Sequence, residues 1–435
     1  MECIIKTKHG TIKGIKEKGI MVFKGVPYAK PPVGELRWKE PQPIDDWDGI
    51  KDTLKFGNRC PQIDFTDADG EGSETYYYWR EFYANPEFNP SKSEDCLYLN
   101  IYAPEKPGKY PVAFWIHGGA FDHGWGSEEE FDGTGYAERG VVYVSINYRV
   151  GAFGFLALPQ IEETEPNHTC NLGTLDQFAA FNWVYDNIEA FGGDPDNITV
   201  FGQSAGAFST EIFSLSSMVK DRVKRAILQS GGGYGTGVGV HNDKAAAIEI
   251  GKRFCEKAGT SDIEKLREIP QERIESIAGE LINKSEHLPF SPYVDGVILK
   301  AQLDQLVDNG EMKDMPYIIG STGHDIGYDP SVPDEDNPMS KGVRALADRL
   351  IAKNISPVYV YFFNRMLPGD KRGAFHSSEL WYTHGTLGRC WRPMEQHDYD
   401  LSNMMLDNWT DFIKGKTMQG WNNYESGDKF VRNYI

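Results

Sequence analysis

The sequence lacks three features, and each absence narrows the class of protein. The 435-residue chain contains no apolar run as long as a membrane-spanning helix, so we expect no transmembrane segment. Its six cysteines show no C-x-x-C or cysteine–histidine spacing, so we expect neither zinc nor an iron–sulfur centre. Positive charge is scarce, since 45 Lys and Arg face 64 Asp and Glu for a net charge of −19. That balance disfavours binding to nucleic acid or to an anionic membrane surface.

The start of the chain also lacks the basic and apolar segments that define a secretory signal. We therefore expect a cytoplasmic protein. Hydrophobic residues make up 40% of the chain and aromatic residues 13%, which is enough for a sizeable core. Because large α/β enzymes often reach this length around one sheet, we predict a single domain over residues 1–435.

Short, nearly continuous apolar runs recur along the chain. Such runs are typical of strands buried on both faces of a mostly parallel sheet. Helix-compatible stretches, such as residues 175–191, separate them. The sequence therefore predicts an α/β fold with a large, mostly parallel central sheet and helices on both faces. The predicted strands are residues 112–116, 141–146, 198–201, 226–228, 317–319 and 358–363.

Residues 202–206 read Gly-Gln-Ser-Ala-Gly and lie between a predicted strand and a helix-compatible stretch. This G-x-S-x-G pattern is typical of the nucleophile elbow, a strained turn between a strand and a helix. The turn is so tight that the residues two before and two after the serine must be small. Gly202 and Gly206 meet that need, and the pattern leaves the hydroxyl of Ser204 exposed.

A serine hydroxyl needs a base, an acid and oxyanion donors to act as a nucleophile near neutral pH. In α/β sheets, ligands bind beyond the carboxyl ends of the strands, so the candidates are residues that follow other strands. Gly118 and Gly119 follow the first predicted strand. Their backbone amides, together with that of Ala205, are predicted to form an oxyanion hole. We expect His117 to orient this loop rather than to titrate.

The predicted acid is Asp325, which follows the fifth predicted strand, and nearby Asp329 is the alternative. The predicted base is His376, which follows the sixth, and His384 is its nearest competitor. The resulting chain order of serine, acid and histidine is that of the α/β-hydrolase fold.

With these residues, the chain resembles the type-B carboxylesterases, which include bacterial para-nitrobenzyl esterases and animal cholinesterases. The similarity extends from about residue 23 to residue 393 and includes the long form of the elbow at residues 191–206. A second signature, Glu-Asp-Cys-Leu-Tyr-Leu-Asn, occupies residues 94–100. The resemblance implies an α/β-hydrolase that cleaves small to medium carboxylic esters, aromatic ones included, through an acyl-enzyme and without metal or organic cofactor.

The resemblance also assigns structural roles to charged residues. It implies two partly buried ion pairs, one between Arg37 and Glu94 and one between Arg149 and Asp194. Loss of one partner from such a pair costs about 3–5 kcal/mol.

The resemblance makes the segment between Cys60 and Cys96 one rim of the active-site gorge. Family members bridge these cysteines, but in a reducing cytoplasm we expect thiols. The segment is rich in aromatic residues, and two interpretations are open. Either an aromatic part of the substrate stacks on them, or they pin the segment to the body of the protein. These residues are Tyr76, Tyr77, Tyr78, Trp79, Phe82, Tyr83 and Phe88.

The chain departs from the family in two respects. The family acid is usually glutamate, so Asp325 requires its loop to lie closer to His376. The segment between about residues 326 and 357 is short for the family, which predicts a reduced covering over the site.

Two other functions are compatible with the fold. One is a catalytically silent protein that binds a partner, although the retained serine, glycines, acid and histidine argue against it. The other is a lactonase or thioesterase with the same triad, which fold and triad do not distinguish from an esterase. The sequence sets neither the natural substrate nor the oligomeric state.

Overall fold

The computed structural model describes residues 1–236, 242–285 and 288–435. Within these residues, no helix is long and apolar enough to cross a membrane. The strands, in chain order, are β1 (Glu2–Lys6), β2 (Thr11–Glu17), β3 (Ile20–Pro27), β4 (Ile50–Asp52), β5 (Tyr98–Pro104), β6 (Tyr110–Ile116), β7 (Val142–Ile146), β8 (Gly193–Gln203), β9 (Val223–Gln229), β10 (Asn242–Asp243), β11 (Tyr293–Val294), β12 (Tyr317–Thr322), β13 (Val358–Phe363) and β14 (Val431–Tyr434).

The α-helices of the described residues lie mainly between and after these strands. In chain order they are α1 (Glu74–Tyr78), α2 (Thr134–Glu138), α3 (Gly151–Phe155), α4 (Pro159–Thr164), α5 (Leu172–Asn187), α6 (Ala205–Leu215), α7 (Lys244–Ala258), α8 (Ile263–Arg267), α9 (Gln271–Ile282), α10 (Leu303–Asp308), α11 (Pro338–Ala352), α12 (Leu380–Thr383) and α13 (Gln396–Ile413).

The main sheet has the strand order β1-β2-β3-β5-β7-β6-β8-β9-β12-β13-β14, with β4 paired to β2. Neighbours from β1 to β7 along this order are antiparallel. Every pair from β7 to β14 is parallel. The predicted α/β class with a large, mostly parallel sheet is confirmed. The six predicted runs correspond to β6, β7, β8, β9, β12 and β13, whereas β1 and β2 carry no continuous apolar run because exposed and buried residues mix along them.

Apolar side chains cover both faces of the sheet, as alternation along a strand requires. On β6, Phe114 and Ile116 belong to a core cluster that includes Phe213 of α6, whereas Trp115 belongs to a second cluster. The second cluster includes Trp409 of α13. Helices therefore cover both faces, as predicted from the sequence.

The loops after β12 and β13 are joined to each other beyond the sheet. His324 and Phe375 form an isolated parallel bridge, and the backbone N–H of His324 donates to the carbonyl of Ala374 at 2.8 Å. This bridge places the residues that follow, Asp325 and His376, side by side.

One predicted ion pair is confirmed and the other is wrong. Arg37 holds Glu94 through two bonds, of 2.7 Å from Nε and 2.5 Å from Nη2. Arg149 pairs with Asp176 of α5 instead of Asp194, through Nε and Nη2 at 2.7 Å each. The positions of the two residues on the parallel strands explain the difference.

Arg149 follows the carboxyl end of β7, whereas Asp194 lies at the amino end of β8, which runs parallel to β7 in the same sheet. The two residues are therefore at opposite edges. Asp194 forms a pair with Lys109, at 3.1 Å.

We predict that Asp176→Asn lowers the free energy of unfolding by about 3–5 kcal/mol, because it leaves the buried guanidinium of Arg149 without its charge partner. Asp194→Asn is the matched control, since its partner Lys109 is 63% exposed. We expect it to cost less than about 1 kcal/mol. Urea unfolding monitored by tryptophan fluorescence measures both, and equal losses would contradict the prediction.

Candidate active site

The Gly-Gln-Ser-Ala-Gly pattern forms a tight turn between β8 and α6. Ser204 has φ 55° and ψ −123°, a conformation that non-glycine residues rarely adopt. A Cβ on Gly202 would lie 2.4 Å from the carbonyl oxygen of Gly206, and one on Gly206 would lie 2.0 Å from that of Ile116. These contacts account for both glycines of the pattern, because any side chain there would force the strand and helix apart.

Of the eight other non-glycine residues that have left-handed backbone in the described part of the chain, four lie in loops that follow the parallel strands. Ala120 (φ 51°) and Phe121 (φ 62°) follow β6, Ser230 (φ 47°) follows β9, and Ser377 (φ 77°) comes directly after His376. Backbone strain of this kind is concentrated at functional sites. These four residues and Ser204 all lie beyond the carboxyl ends of the parallel strands.

Asp325 and His376 form a close hydrogen-bonded pair. Nδ1 of His376 donates to Oδ1 of Asp325 at 2.6 Å. The carboxylate also accepts backbone N–H bonds from Thr322 at 2.9 Å and from Ile326 at 2.8 Å. Because these bonds fix the carboxylate, the proton of the imidazole stays on Nδ1, and Nε2 carries the lone pair that a base needs.

The ionised form of this pair is favoured despite its burial. Burial by itself would raise the pKa of Asp325, but the charge of His376 and the hydrogen bonds outweigh it, and the pKa lies below its usual value. Burial by itself would lower the pKa of His376. The charge and hydrogen bond of Asp325 outweigh burial here too, so this pKa lies above its usual value.

A buried carboxyl, Glu379, lies near this pair and was not identified from the sequence. Burial first, and then the charge of Asp325, raise the pKa of Glu379 to about 7. Its Oε1 lies 3.5 Å from the hydroxyl of Ser230. The only sequence feature that points to Glu379 is its position three residues after His376.

The other ring nitrogen of His376 faces the elbow. Its Nε2 accepts a hydrogen bond from the side-chain amide of Gln203 at 3.1 Å, and Ser204 and His376 line the same cavity. Catalytic hydrogen bonds are often long in ligand-free proteins and tighten when substrate binds. The role of Gln203 was not foreseen, because it occupies a variable position of the pattern.

The predicted oxyanion residues lie beside the elbow. Gly118 and Gly119 line the cavity, and a Cβ on Gly118 would lie 3.2 Å from Cβ of Ser204. Ala205 is the first residue of α6, where a backbone N–H has no partner within the helix. Ala120 also lines the cavity, and its backbone amide is a further candidate donor that the sequence did not identify.

His117 is fully buried, and Nδ1 of its ring donates to the carbonyl of Gly118 at 2.8 Å. The ring stacks on Tyr148 with centroids 4.3 Å apart. Burial lowers the pKa of His117 to about 3, so the ring is neutral near pH 7. These contacts agree with the loop-orienting role predicted for it.

The two alternative candidates lie elsewhere. Asp329 is exposed and accepts a backbone bond from Ser331 at 2.8 Å within its own turn. His384 is buried at the end of α12, with its ring 4.7 Å from that of Trp115. Burial lowers the pKa of His384 to about 3.

The cavity at the elbow has a volume of about 220 Å³, and aromatic side chains make up part of its lining. The rim aromatics divide between the cavity and the body of the protein, and Phe82 contacts both. Stacking of a substrate on them stays a prediction. Tyr78, Phe82 and Tyr83 line the cavity. Tyr77 instead packs on Phe375 at 5.2 Å, and Phe82 also stacks on Trp381 at 5.9 Å.

A buried ion pair anchors the rim segment. Glu81 accepts a bond from Nε of Arg392 at 3.0 Å and one from the indole of Trp391 at 2.8 Å. Cys60 and Cys96, at the ends of the segment, are free thiols. The rim is therefore tied by non-covalent contacts to the segment that follows His376.

The sequence and the structure both match known esterases. The profile of the carboxylesterase family matches residues 2–350. The chain is 35% identical to para-nitrobenzyl esterase of Bacillus subtilis (strain 168), over 84% of this chain and 71% of that protein. It is 33% identical to fumonisin B1 esterase of Sphingopyxis macrogoltabida, over 85% of this chain and 61% of that protein. A solved PNB esterase structure superposes with a TM-score of 0.86 at 29% identity, covering 99% of this chain and 95% of that one.

The fold and these matches define a carboxylic ester hydrolase with the α/β-hydrolase fold. The chain belongs to the carboxylesterase family. Ser204 and Asp325 lie within the residues that the family profile matches, whereas His376 lies beyond them. The predicted family, fold and enzyme class are confirmed.

We predict that Asp325→Asn lowers kcat by on the order of 10³–10⁴-fold, because the amide no longer holds the imidazole in the right tautomer. In the variant, the pKa of His376 falls because the carboxylate that raises it is gone. The acid limb of the pH profile of the remaining activity therefore shifts to lower pH. Profiles of kcat/KM against pH measure both effects. Asp329→Asn is the control, and a similar loss in that variant would contradict the assignment.

Proposed function

We propose that the protein hydrolyses small to medium carboxylic esters through an acyl-enzyme formed on Ser204. The observation that carries this proposal is the 2.6 Å bond between Nδ1 of His376 and Oδ1 of Asp325, beside the cavity that Ser204 and His376 line. Nucleophile, base and orienting acid are the three parts of a serine hydrolase triad.

In the first step, Oγ of Ser204 attacks the ester carbonyl carbon while Nε2 of His376 takes the hydroxyl proton. The side-chain amide of Gln203 must first release Nε2. The carbonyl oxygen becomes an oxyanion, which accepts hydrogen bonds from the backbone amides of Gly118, Gly119 and Ala205.

In the second step, Nε2 of His376 protonates the departing alcohol, which leaves the acyl group on Ser204. A water molecule then attacks the acyl-enzyme as His376 takes its proton. Collapse of this second intermediate releases the carboxylic acid and returns the proton to Oγ. Throughout, Asp325 holds the tautomer and stabilises the charged imidazole.

The cavity supports the proposed size and type of substrate. Its volume of about 220 Å³ suits a short acyl or alcohol group. Phe65, Tyr78 and Tyr83 give it an aromatic wall, which favours esters with an aromatic part.

Several expectations from the sequence stay predictions. They are a cytoplasmic location, the absence of nucleic-acid and membrane partners, and a single domain over residues 1–435 with a shortened covering segment between about residues 326 and 357.

We expect Ser204→Ala to lower turnover of para-nitrophenyl esters by on the order of 10⁶-fold, because the nucleophile is lost. Initial rates along the series from acetate to octanoate, with methyl ferulate alongside, test this and measure the size of the acyl pocket. Ser217→Ala makes the same change at an exposed serine beyond α6 and serves as the control. Substantial turnover by a folded Ser204→Ala protein would refute the proposal.

A further inference from the structure

Two buried carboxyl groups line the cavity at the elbow without a part in the proposed reaction. They belong to Glu128 and Glu130, in the loop between β6 and α2. Both residues are buried, and both line the same cavity as Ser204 and His376. Acids are rarely buried unless they are paired, so these two carboxyls need an explanation.

The two carboxyls differ in their contacts. Oε1 of Glu128 accepts the backbone N–H of Trp125 at 2.8 Å, which gives it a structural role in its own turn. Glu130 is only 1% exposed, and its Oε2 has no hydrogen-bond partner among the described residues. A buried acceptor without a partner costs free energy unless a ligand supplies the donor.

The nearby cations do not neutralise this pair, because each is bonded to another carboxylate. His123 lines the cavity, but its Nδ1 is 2.5 Å from Oδ1 of Asp122. Arg59 also interacts with Glu128, but it is paired with Asp64 at 2.6 Å. Within the described ranges, neither glutamate therefore has a cation that is not already bonded to another carboxylate.

The pair is poised to bind a cation. Burial raises the pKa of both glutamates, and the charge of Glu128 raises the pKa of Glu130 further. The two side chains are also hydrogen-bonded to each other, which requires a proton on one of them. A bound cation would displace that proton.

The surroundings also favour a positive ligand. Phe65, Tyr83 and Phe131 line the same cavity, and aromatic faces attract ammonium groups. The net charge of −19 draws cations to the protein from a distance.

We propose that Glu128 and Glu130 form a subsite for a primary ammonium group, so that the enzyme prefers esters that carry a protonated amine. The inference rests on the proposed function, since the subsite belongs to the cavity of Ser204. An ammonium group has three N–H donors, which suits the free oxygen of Glu130 and the remaining acceptor positions of Glu128. Glu130 is the specificity-determining residue, and Glu128 supports it.

The first test measures binding and needs no turnover. Isothermal titration compares n-pentylammonium with 1-pentanol on the wild-type protein. We expect the ammonium to bind at least about tenfold more tightly, the effect of one charge-assisted hydrogen bond. Equal affinity for the two ligands overturns the proposal without any variant.

Glu130→Gln should abolish this preference, because the isosteric amide keeps the shape and removes the charge. Glu129→Gln is the matched control. The carboxylate of Glu129 accepts a hydrogen bond from the side-chain amide of Asn85 at 2.8 Å, and Glu129 is not among the residues that line the cavity. A preference that survives in folded Glu130→Gln overturns the proposal, because the ammonium then binds elsewhere. If Glu130→Gln does not fold, Glu128→Gln replaces it, with the same outcomes.

The second test measures selectivity with ethyl 6-aminohexanoate and ethyl heptanoate, in which an ammonium replaces a methyl group. We expect Glu130→Gln to lower the ratio of their kcat/KM values by about tenfold, and Glu129→Gln to leave it unchanged. An unchanged ratio in Glu130→Gln overturns the preference. If neither ester is hydrolysed, the proposed function fails, whereas the binding experiment still decides the subsite.

Discussion

At Gly206, the backbone of α6 passes so close to β6 that an added Cβ would lie 2.0 Å from the carbonyl oxygen of Ile116. This approach fixes where the helix crosses the sheet, and it forces Ser204 into a left-handed turn at φ 55°. The same crossing brings the loop after β6 against the elbow, so Gly118 lies directly beside the serine. A contact between backbones, with no side chain between them, thus sets the distance from the proposed nucleophile to the proposed oxyanion donors, and the rest of the site is arranged around it.

The proposed acid and base are brought to that point in a different way. Asp325 and His376 lie far apart in the sequence, and the backbone bridge between His324 and Phe375 joins their loops. Once joined, the two side chains stabilise each other's charge in a buried environment that disfavours either charge alone. The shorter aspartate side chain reaches the imidazole at 2.6 Å because the bridge brings its loop close.

The sequence predicted the parts of the molecule that depend on local pattern. The central strands, the elbow and the loops after the strands follow from short runs and fixed spacings, and so the α/β fold was correctly predicted. Sequence patterns did not show which of several possible side chains pair with each other in the folded protein. The assignment of Arg149 to Asp194 was wrong, because Asp176 lies on α5 at the correct edge of the sheet. The contact of Gln203 with His376 and the free oxygen of Glu130 depend on side-chain geometry that no spacing encodes.

The ion pair that anchors the rim segment connects the lining of the cavity with the segment that follows His376. Glu81 lies in the rim segment, and its partners Arg392 and Trp391 belong to the segment that follows His376. Phe82 adds a second link, since it lines the cavity and stacks on Trp381. These contacts therefore constrain how substitutions in the rim segment can change the range of substrates. Changes that remodel the rim segment also disturb the segment that supports the proposed base, so substrate range and catalysis must diversify together.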